Sequence, residues 1–397
     1  MGNPRVLPAQ IVDLAGRTPT CREKLGSKAA TLIWLAGRGY SVPDGFVIPP
    51  SLAARLRAAP GPAAVRGVLG AIQRLEERCG RAYGAPEGFG VSVRPSPISD
   101  SPGYGIRRTH IGQPWNGSSE PDSFRNGKTA EKRGDPLSDL IDAVRLVAGI
   151  EPAAEQHAVI VQAMVPFAGS SPGLTGTVLS RDPVFGADAA VGEFREMARD
   201  RRNRAFLLKD LASSAPTAAR ELSGLIGRLR MEYGSDLEME VALVGEIIWI
   251  LQLRAMPSLT GPVNPSPNAA LSRLPVIARG VVASRGCCVA PLAVHGHLDR
   301  EPTGPVIALV RDLEELTDEA MDRACGILAL SGSRYCHAAS KLRMRRIPTL
   351  TDLVSTTISQ QAEAVWFNET KIAAGRPVAI DAELGLVRHS PQIGAVS

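Results

Sequence analysis

A proline-rich segment divides the chain into two unequal parts. Residues 256–275, MPSLTGPVNPSPNAALSRLP, contain five prolines in twenty residues. Proline fixes its own φ angle and has no backbone N–H, so such a segment is extended and semi-rigid. We therefore predict a larger domain at 1–255 and a smaller one at 276–397, joined by a linker at 256–275.

The composition is that of a globular protein. The chain has 397 residues, 44% hydrophobic and 21% charged, which suits two or three cores and excludes wholesale disorder. No uncharged apolar run reaches the roughly 18 residues of a membrane span, and the N-terminus lacks the layout of a secretory signal. Six cysteines without a CxxC pair argue against a disulfide framework or a structural zinc site. We expect a cytoplasmic protein with no membrane partner.

The basic residues do not indicate nucleic-acid binding. The formal net charge is only +5, and the densest basic run, KLRMRR at 341–346, has no interleaved aromatic side chains to stack on bases. A solvated helix face explains this run more simply. We expect no nucleic-acid partner.

The periodicity of apolar residues predicts a mixed fold of helices and strands. Before the linker, 26–48 reads as a turn, a helix and a strand, and 237–254 as two strands around a turn near Gly245. The polar segment 113–136 is interpreted as a mobile loop. After the linker, strands and helices lead to a hairpin at 376–389. The predicted fold class is α+β and α/β, in several domains.

Two basic side chains near the N-terminus form the first candidate site. Lys28 follows Gly26-Ser27 before a predicted helix, and Arg94 ends a predicted strand that leads into a Ser/Pro/Gly loop. Lys and Arg beside a loop that offers backbone N–H groups are suited to a polyphosphate. Each is equally explained as a surface charge, and the residues alone leave both interpretations open.

A set of carboxylates forms the second candidate site. Asp236, Glu238 and Glu240 alternate along one predicted strand, so their side chains are expected on one face, and Gln252 lies on the following strand. Mg²⁺ binds one or two carboxylates together with phosphate oxygens. The other interpretation is a solvated edge strand, which needs no metal.

The third candidate is His337. It stands where a strand and turn are expected to give way to a helix, and a helix N-terminus favours an anion attached to it. An imidazole nitrogen is a competent nucleophile toward phosphorus. The neighbouring Cys336 is interpreted as a small buried thiol, since no base is placed to activate it.

Taken in order, these segments resemble pyruvate phosphate dikinase and its relative phosphoenolpyruvate synthase. The resemblance is carried by six parts of the sequence: GSKAATLIWLAGRGYSVPDGFVI, SVRPSPISDSPGYGIRRTHIG, the run of VIVQAMV, GTVLSRDPVFG and VGEFRE, DLEMEVALVGEIIWILQLR, VIARGVVASRGCCVAP, and ILALSGSRYCHAASKLRMRRIPTL. The VGEFRE segment is more similar to the dikinase than to the synthase.

The resemblance implies an ATP-grasp-type nucleotide-binding domain joined to a small swivelling phosphohistidine domain. It implies an enzyme, a phosphotransferase that converts ATP to AMP with Mg²⁺ as cofactor. Its site roles, by analogy, are phosphate binding by Lys28 and Arg94, a metal and nucleotide site at Glu238 and Gln252 with Asp236 nearby, an adenine border from Gln162 to Val165, a phosphate-chain contact from Arg181, the phosphocarrier His337, and support of its phosphate by Arg343.

The sequence also departs from the family. The C-terminal barrel that binds pyruvate or phosphoenolpyruvate has no counterpart, so the acceptor is expected to be an unknown small molecule or a separate acceptor protein. Before the histidine, Ser331-Gly332 and Tyr335-Cys336 replace a Gly-Gly pair and a small hydroxyl residue. These departures support an alternative, a catalytically degenerate nucleotide-binding sensor or scaffold.

Overall fold

The computed structural model describes residues 10–15, 22–85, 88–98, 110–111, 135–149, 157–165, 173–197, 205–256, 269–294, 304–359 and 363–390. Helices and four separate sheets make up this part of the chain, so the fold is mixed α+β. The predicted loop lies outside the described residues up to residue 134, and so does most of the predicted linker, 257–268. The division into domains stays a prediction.

The first sheet is antiparallel, in the order β1-β2-β5-β3-β4. Its strands and the four helices around it are β1 (Val12–Asp13), α1 (Arg22–Gly37), β2 (Gly45–Ile48), α2 (Pro50–Ala58), α3 (Pro62–Cys79), β3 (Val91–Pro97), β4 (His110–Ile111), α4 (Pro136–Ala148) and β5 (His157–Ala163). Alternate residues of β5 pack in two different apolar clusters, Ile160 against α1 and Val161 against the helices on the other side. Both faces of this sheet are therefore buried.

The second sheet is also antiparallel, in the order β10-β9-β6-β7-β8. It is formed by β6 (Gly173–Leu179), β7 (Val191–Met197), β8 (Ala205–Leu207), β9 (Leu237–Val244) and β10 (Ile247–Ala255), with α5 (Leu208–Ser214) and α6 (Pro216–Tyr233) inserted after β8. Leu237, Met239 and Val241 pack with α1 and α6 in one apolar cluster. Period-2 alternation places Glu238 and Glu240 on the opposite face.

The third sheet has eight strands, in the order β11-β21-β20-β13-β14-β15-β16-β12. The elements of this part are α7 (Ala269–Ser272), β11 (Val276–Arg279), β12 (Val281–Ser284), β13 (Cys287–Val294), β14 (Val306–Asp312), α8 (Asp318–Arg323), β15 (Ala324–Ser331), α9 (His337–Met344), β16 (Thr349–Thr351), β20 (Pro377–Asp381) and β21 (Leu386–His389). β14, β15 and β16 are parallel, and α8 and α9 connect them. A small sheet of β17 (Thr356–Ile358), β18 (Ala364–Phe367) and β19 (Thr370–Ala373) adjoins them. We call residues 276–390 the C-terminal module.

The coarse sequence interpretation agrees with most of these elements. The helix and strand predicted in 26–48, the two strands of 237–254 and the hairpin of 376–389 are all present. Residues 50–79 form two helices and not one, because Pro60-Gly61 and Pro62 end the first and begin the second. Within the described ranges, no helix is both long and apolar enough to cross a membrane.

Candidate functional site

The outer face of the second sheet carries a block of polar side chains. Across β9 and β10, Glu238 is paired in register with Arg254, and Glu240 with Gln252. Directly paired residues of antiparallel strands project to the same side, so all four side chains share one face. We call this surface the polar face.

A β-bulge brings Gln252 and Arg254 to that face. Ile250 is paired with Val241 and Gln252 with Glu240, so one extra residue, Leu251, is inserted into β10 between them. A bulge of this kind changes which side of the sheet the following residues face. Ile250 and Leu253 therefore both lie in the apolar cluster, while Gln252 and Arg254 lie on the polar face.

Lys28 lies at the start of the regular part of α1. Gly26 interrupts the helix with φ 78° and ψ 165°, and a side chain there would collide with Ser96, whose carbonyl oxygen is 2.3 Å from an ideal Cβ. Ser96 Oγ accepts the Ala29 backbone N–H at 3.0 Å, which fixes this turn against β3. The glycine thus lets the helix begin close to β3, with Lys28 in its first turn.

The surroundings of Lys28 disfavour its protonated, charged form. Burial lowers the pKa of Lys28 to about 8, with further lowering by Arg94 and Arg254, while Glu240 acts in the opposite direction. Three cationic side chains from α1, β3 and β10 therefore lie within electrostatic reach of one another. A group of this kind favours a polyanion.

Two ion pairs connect these cations with the carboxylates. Arg94 Nη1 lies 3.6 Å from Glu240 Oε2, and this contact joins β3 of the first sheet to β9 of the second. Arg254 Nη2 lies 2.6 Å from Glu238 Oε1, and the Glu238 side chain is only 8% exposed. The nearly buried Glu238 carboxylate is thus compensated by a cation, as burial of a charge requires.

Asp236 immediately precedes β9, and its backbone carbonyl accepts the Met256 N–H at 2.7 Å, so the pairing with β10 continues to it. Its carboxylate contacts Arg230 Nε at 2.8 Å and Arg181 Nη1 at 3.7 Å. Ser180 Oγ donates to the same carboxylate at 3.3 Å. Asp236 therefore holds Arg181 and the turn after β6, beside the polar face rather than within the paired block.

The predicted adenine border lies on the first sheet. Gln162 is paired in register with both Gly45 and Ser92, and its side-chain amide donates to the Pro43 carbonyl at 3.2 Å. Its alternation with Val161 places it on the same face as Arg94. Val165, just beyond β5, is buried.

His337 is the first residue of α9, as the sequence predicts. Cys336 is the residue before the helix, and its Sγ accepts the Ala339 backbone N–H at 3.4 Å. Burial raises the pKa of the Cys336 thiol to about 11. A thiol that stays protonated and caps a helix agrees with the interpretation of Cys336 as structural.

Arg343 supports the turn that leads into His337. Its Nη1 donates to the carbonyl of Ala283 at 3.1 Å and to that of Arg334 at 2.7 Å, and the residue is 8% exposed. Burial lowers its pKa, and Glu238 is the largest opposing influence. Arg343 therefore joins α9 to β12 and to the 331–336 turn by hydrogen bonds. It also lies within electrostatic reach of Glu238 on the polar face.

The C-terminal module contacts the second sheet at this turn. Arg195 Nη2 donates to Glu314 Oε1 at 3.3 Å, and Ser333 lies close enough to Glu193 to influence its pKa. Burial raises the pKa of Glu193, and the Ser333 hydroxyl and Arg195 oppose that shift. The backbone start of the His337 helix thus lies next to the face that carries Glu238 and Glu240.

The donor chemistry of Glu238 and Gln252 fits Mg²⁺, although it provides only part of a coordination sphere. Both supply hard oxygen donors from neighbouring strands on one face, and both are buried. In the described part of the chain, no three His, Cys, Asp or Glu side chains gather as a metal site would require. A metal here would take its remaining ligands from phosphate and water.

Three residues of this region were not selected from the sequence. The bulge in β10 breaks the alternation that would have assigned Arg254 to the polar face. Glu193 and Arg195 alternate along VGEFRE. They share a face with Thr177, which is paired with both Glu193 and Glu240. The alternation of Glu193 and Arg195 could have indicated that they share one face of a strand. Their contacts with a segment more than a hundred residues away leave no signal in the sequence.

Comparison with known proteins identifies no relative that would assign a function. No family model and no curated protein matches the chain. Among solved structures, there is a similarity to aconitase X of Thermococcus kodakaraensis in its holo form, at 14% identity over 28% of this chain and 95% of that chain, with a TM-score of 0.19. No fold or activity is transferred from so weak a similarity.

Proposed function

We propose that the protein is an ATP-dependent phosphotransferase that acts through a phosphohistidine at His337. The observation that carries this proposal is the position of the 331–336 turn, which leads directly into His337 and lies next to the second sheet beside its polar face. A nucleophile-bearing helix start next to clustered cations and carboxylates suits phosphoryl transfer. The sequence resemblance to pyruvate phosphate dikinase and phosphoenolpyruvate synthase supports the same reaction.

The chain's own residues would act mainly by binding and neutralising charge. Lys28, Arg94 and Arg254, which lie within electrostatic reach of one another, would compensate a polyphosphate, and Arg181, in the turn after β6, would contact the same phosphate chain. A nitrogen of the His337 imidazole would form a bond to the β-phosphorus as the bond from that phosphorus to the oxygen of the α-phosphate breaks and AMP leaves. The γ-phosphate would then pass to water or to inorganic phosphate. Phosphoryl transfer requires little other covalent work from a protein.

Glu238 and Gln252 would hold the metal ion. When bound, Mg²⁺ neutralises charge on the phosphate oxygens. In the structure, Arg254 contacts Glu238, so metal binding would require this pair to rearrange or share the carboxylate.

The remaining parts of the proposal follow from the resemblance. Residues 1–255 would form an ATP-grasp-type domain and 276–397 a swivelling phosphohistidine domain, with ATP converted to AMP in the cytoplasm. The second acceptor would be a small molecule or a separate acceptor protein.

Labelled nucleotide tests the proposal. We expect protein incubated with β-labelled ATP and Mg²⁺ to acquire label that survives base and is lost in acid, with AMP as product. His337→Ala should abolish the label, whereas His389→Ala on β21 should retain it. The proposal is wrong if neither β- nor γ-labelled ATP labels the protein in any divalent-metal buffer, or if His337→Ala is labelled normally.

A second candidate is a nucleotide-binding sensor without catalysis. The specific observation in its favour is the Arg254–Glu238 pair, which compensates the carboxylate without a metal. A sensor predicts that ATP raises the melting temperature while AMP, ADP and phosphohistidine are all absent. A thermal-shift measurement beside a product assay separates the two functions.

A further inference from the structure

We propose that Glu193 and Arg195 of β7 are positioning residues that hold the C-terminal module on the second sheet, so that α9 begins beside the polar face. This inference deepens the proposed function and rests on it for its biological meaning. The contact itself is a separate claim, which can be tested without nucleotide.

The two side chains leave β7 on the same side. They alternate along the strand, and Glu193 is paired in register with Thr177, which is in turn paired with Glu240. One continuous row of side chains therefore runs from Gln252 through Glu240 and Thr177 to Glu193. A segment bound at Glu193 lies three strands away from Gln252 on the same surface.

The partners of Glu193 and Arg195 belong to one compact unit of the C-terminal module. Ser333 lies near Glu193, and its Oγ accepts the Tyr335 backbone N–H at 3.0 Å. Gly332 has φ 136°, and an ideal Cβ there would lie 2.5 Å from Leu313 Cβ, so the turn packs directly on the residue before Glu314. Both contacts therefore fix the same rigid piece, which continues into His337.

Arg195 has an electrostatic role in this contact. Glu193 faces two other carboxylates, Asp352 and Glu314, and both raise its pKa. Arg195 acts in the opposite direction on Glu193 and contacts Glu314. The arginine thus lies among carboxylates from both sides of the contact, and without it the two surfaces would repel each other.

A charge-swap cycle on the full-length chain tests the proposal. In the absence of nucleotide, Arg195→Glu should place like charges at this contact and accelerate amide hydrogen exchange in peptides covering 313–316 and 331–336 by about tenfold. The double variant Arg195→Glu/Glu314→Arg should restore protection toward that of the wild type. Arg145→Glu, which removes a pair within α4, is the matched control and should leave these peptides unchanged.

The proposal is overturned if Arg195→Glu exchanges like the wild type in both peptides, or if the double variant exchanges as fast as the single one. Rescue by the swap separates a docking contact from general damage to the fold, because a misfolded single variant would not be corrected by a second charge change. Exchange that responds as expected, in a protein that never forms phosphohistidine, would support the contact and reject the proposed function.

Glu193 provides a second measurement. Its pKa is raised in the docked state by burial, with Arg195 and Ser333 opposing and Asp352 and Glu314 adding to the shift. A raised carboxyl pKa favours docking at low pH, and this contribution is lost as pH rises through the docked pKa. After correction for the intrinsic exchange rate, protection of 331–336 should therefore decrease as pH rises, and Glu193→Gln should remove that dependence. A dependence that persists unchanged in Glu193→Gln would assign it to another group.

Discussion

The first and second sheets are both antiparallel and both have five strands, but they are buried differently. Apolar clusters cover both faces of the first sheet, whereas the second has one apolar face and one face with Glu238, Glu240, Gln252 and Arg254. A sheet face lined by charges cannot gain stability from apolar burial. The first sheet is thus stabilised by apolar packing on both sides, whereas the second leaves a polar face free for the binding proposed above.

The largest expected effect is on the scaffold sheet. Phe46 on β2 is fully buried, so Phe46→Ala should lower the free energy of unfolding by about 3–5 kcal/mol through lost burial and a cavity. Urea denaturation measures it. Met231→Ala, at a side chain that is 85% exposed, should change the same quantity by less than about 0.5 kcal/mol. Equal losses in the two variants would contradict the assignment of the core.

The next effect concerns the turn that places Lys28 between the two sheets. Gly26→Ala combines a positive φ with a collision against Ser96, and we expect a loss of about 2–4 kcal/mol. Gly39→Ala is the matched control, because Gly39 has φ 81° but open space around it, so only the backbone term of about 1–2 kcal/mol should appear. If both variants lost the same stability by thermal denaturation, the close approach of α1 to β3 would be wrong.

A smaller effect is expected for the ion pair on the polar face. Arg254→Met leaves the nearly buried Glu238 carboxylate without its partner and should cost about 1–3 kcal/mol. The double variant Arg254→Met/Glu238→Gln should regain most of this loss, since no charge remains uncompensated. Additive losses in a double-mutant cycle would show that the two side chains do not interact.

The last expected effect is a pH dependence contributed by Lys28, which appears as a slope and not as a fixed loss of stability. Because burial lowers its pKa from 10.5 to about 8, the unfolded chain binds more protons than the folded one between these values. The free energy of unfolding should therefore rise with pH across that window, by at most about 1.4 kcal/mol per pH unit. Denaturation of Lys28→Met over the same range should lack this rise. An identical slope in both proteins would mean that Lys28 is not buried as described.

The sequence predicted the scaffold better than the site. Alternating and helical periodicities identified β9, β10 and α9 because burial acts on each segment locally. The carboxylates Glu238 and Glu240 were recognised as sharing one face for the same reason. Arg254 was missed because the bulge at Leu251 breaks the alternation, and a bulge leaves little signal in a single sequence.

Contacts between distant segments could not be predicted at all. Nothing in VGEFRE indicates that Glu193 lies near Ser333, or that Arg195 contacts Glu314, because such pairs depend on how separately folded pieces come together. The placement of Asp236 outside β9 has a similar origin. Its carboxylate is held by Arg230 from the end of α6, a contact that strand periodicity does not contain.

The two hydrogen bonds from Arg343 have a consequence for movement. They fasten α9 to β12 and to the carbonyl of Arg334 in the turn before His337, so the histidine backbone is not part of a free loop. A large displacement of this backbone would therefore have to move the eight-stranded sheet as well. The distance that the histidine could travel would then be set by the length of chain that joins the second sheet to the third.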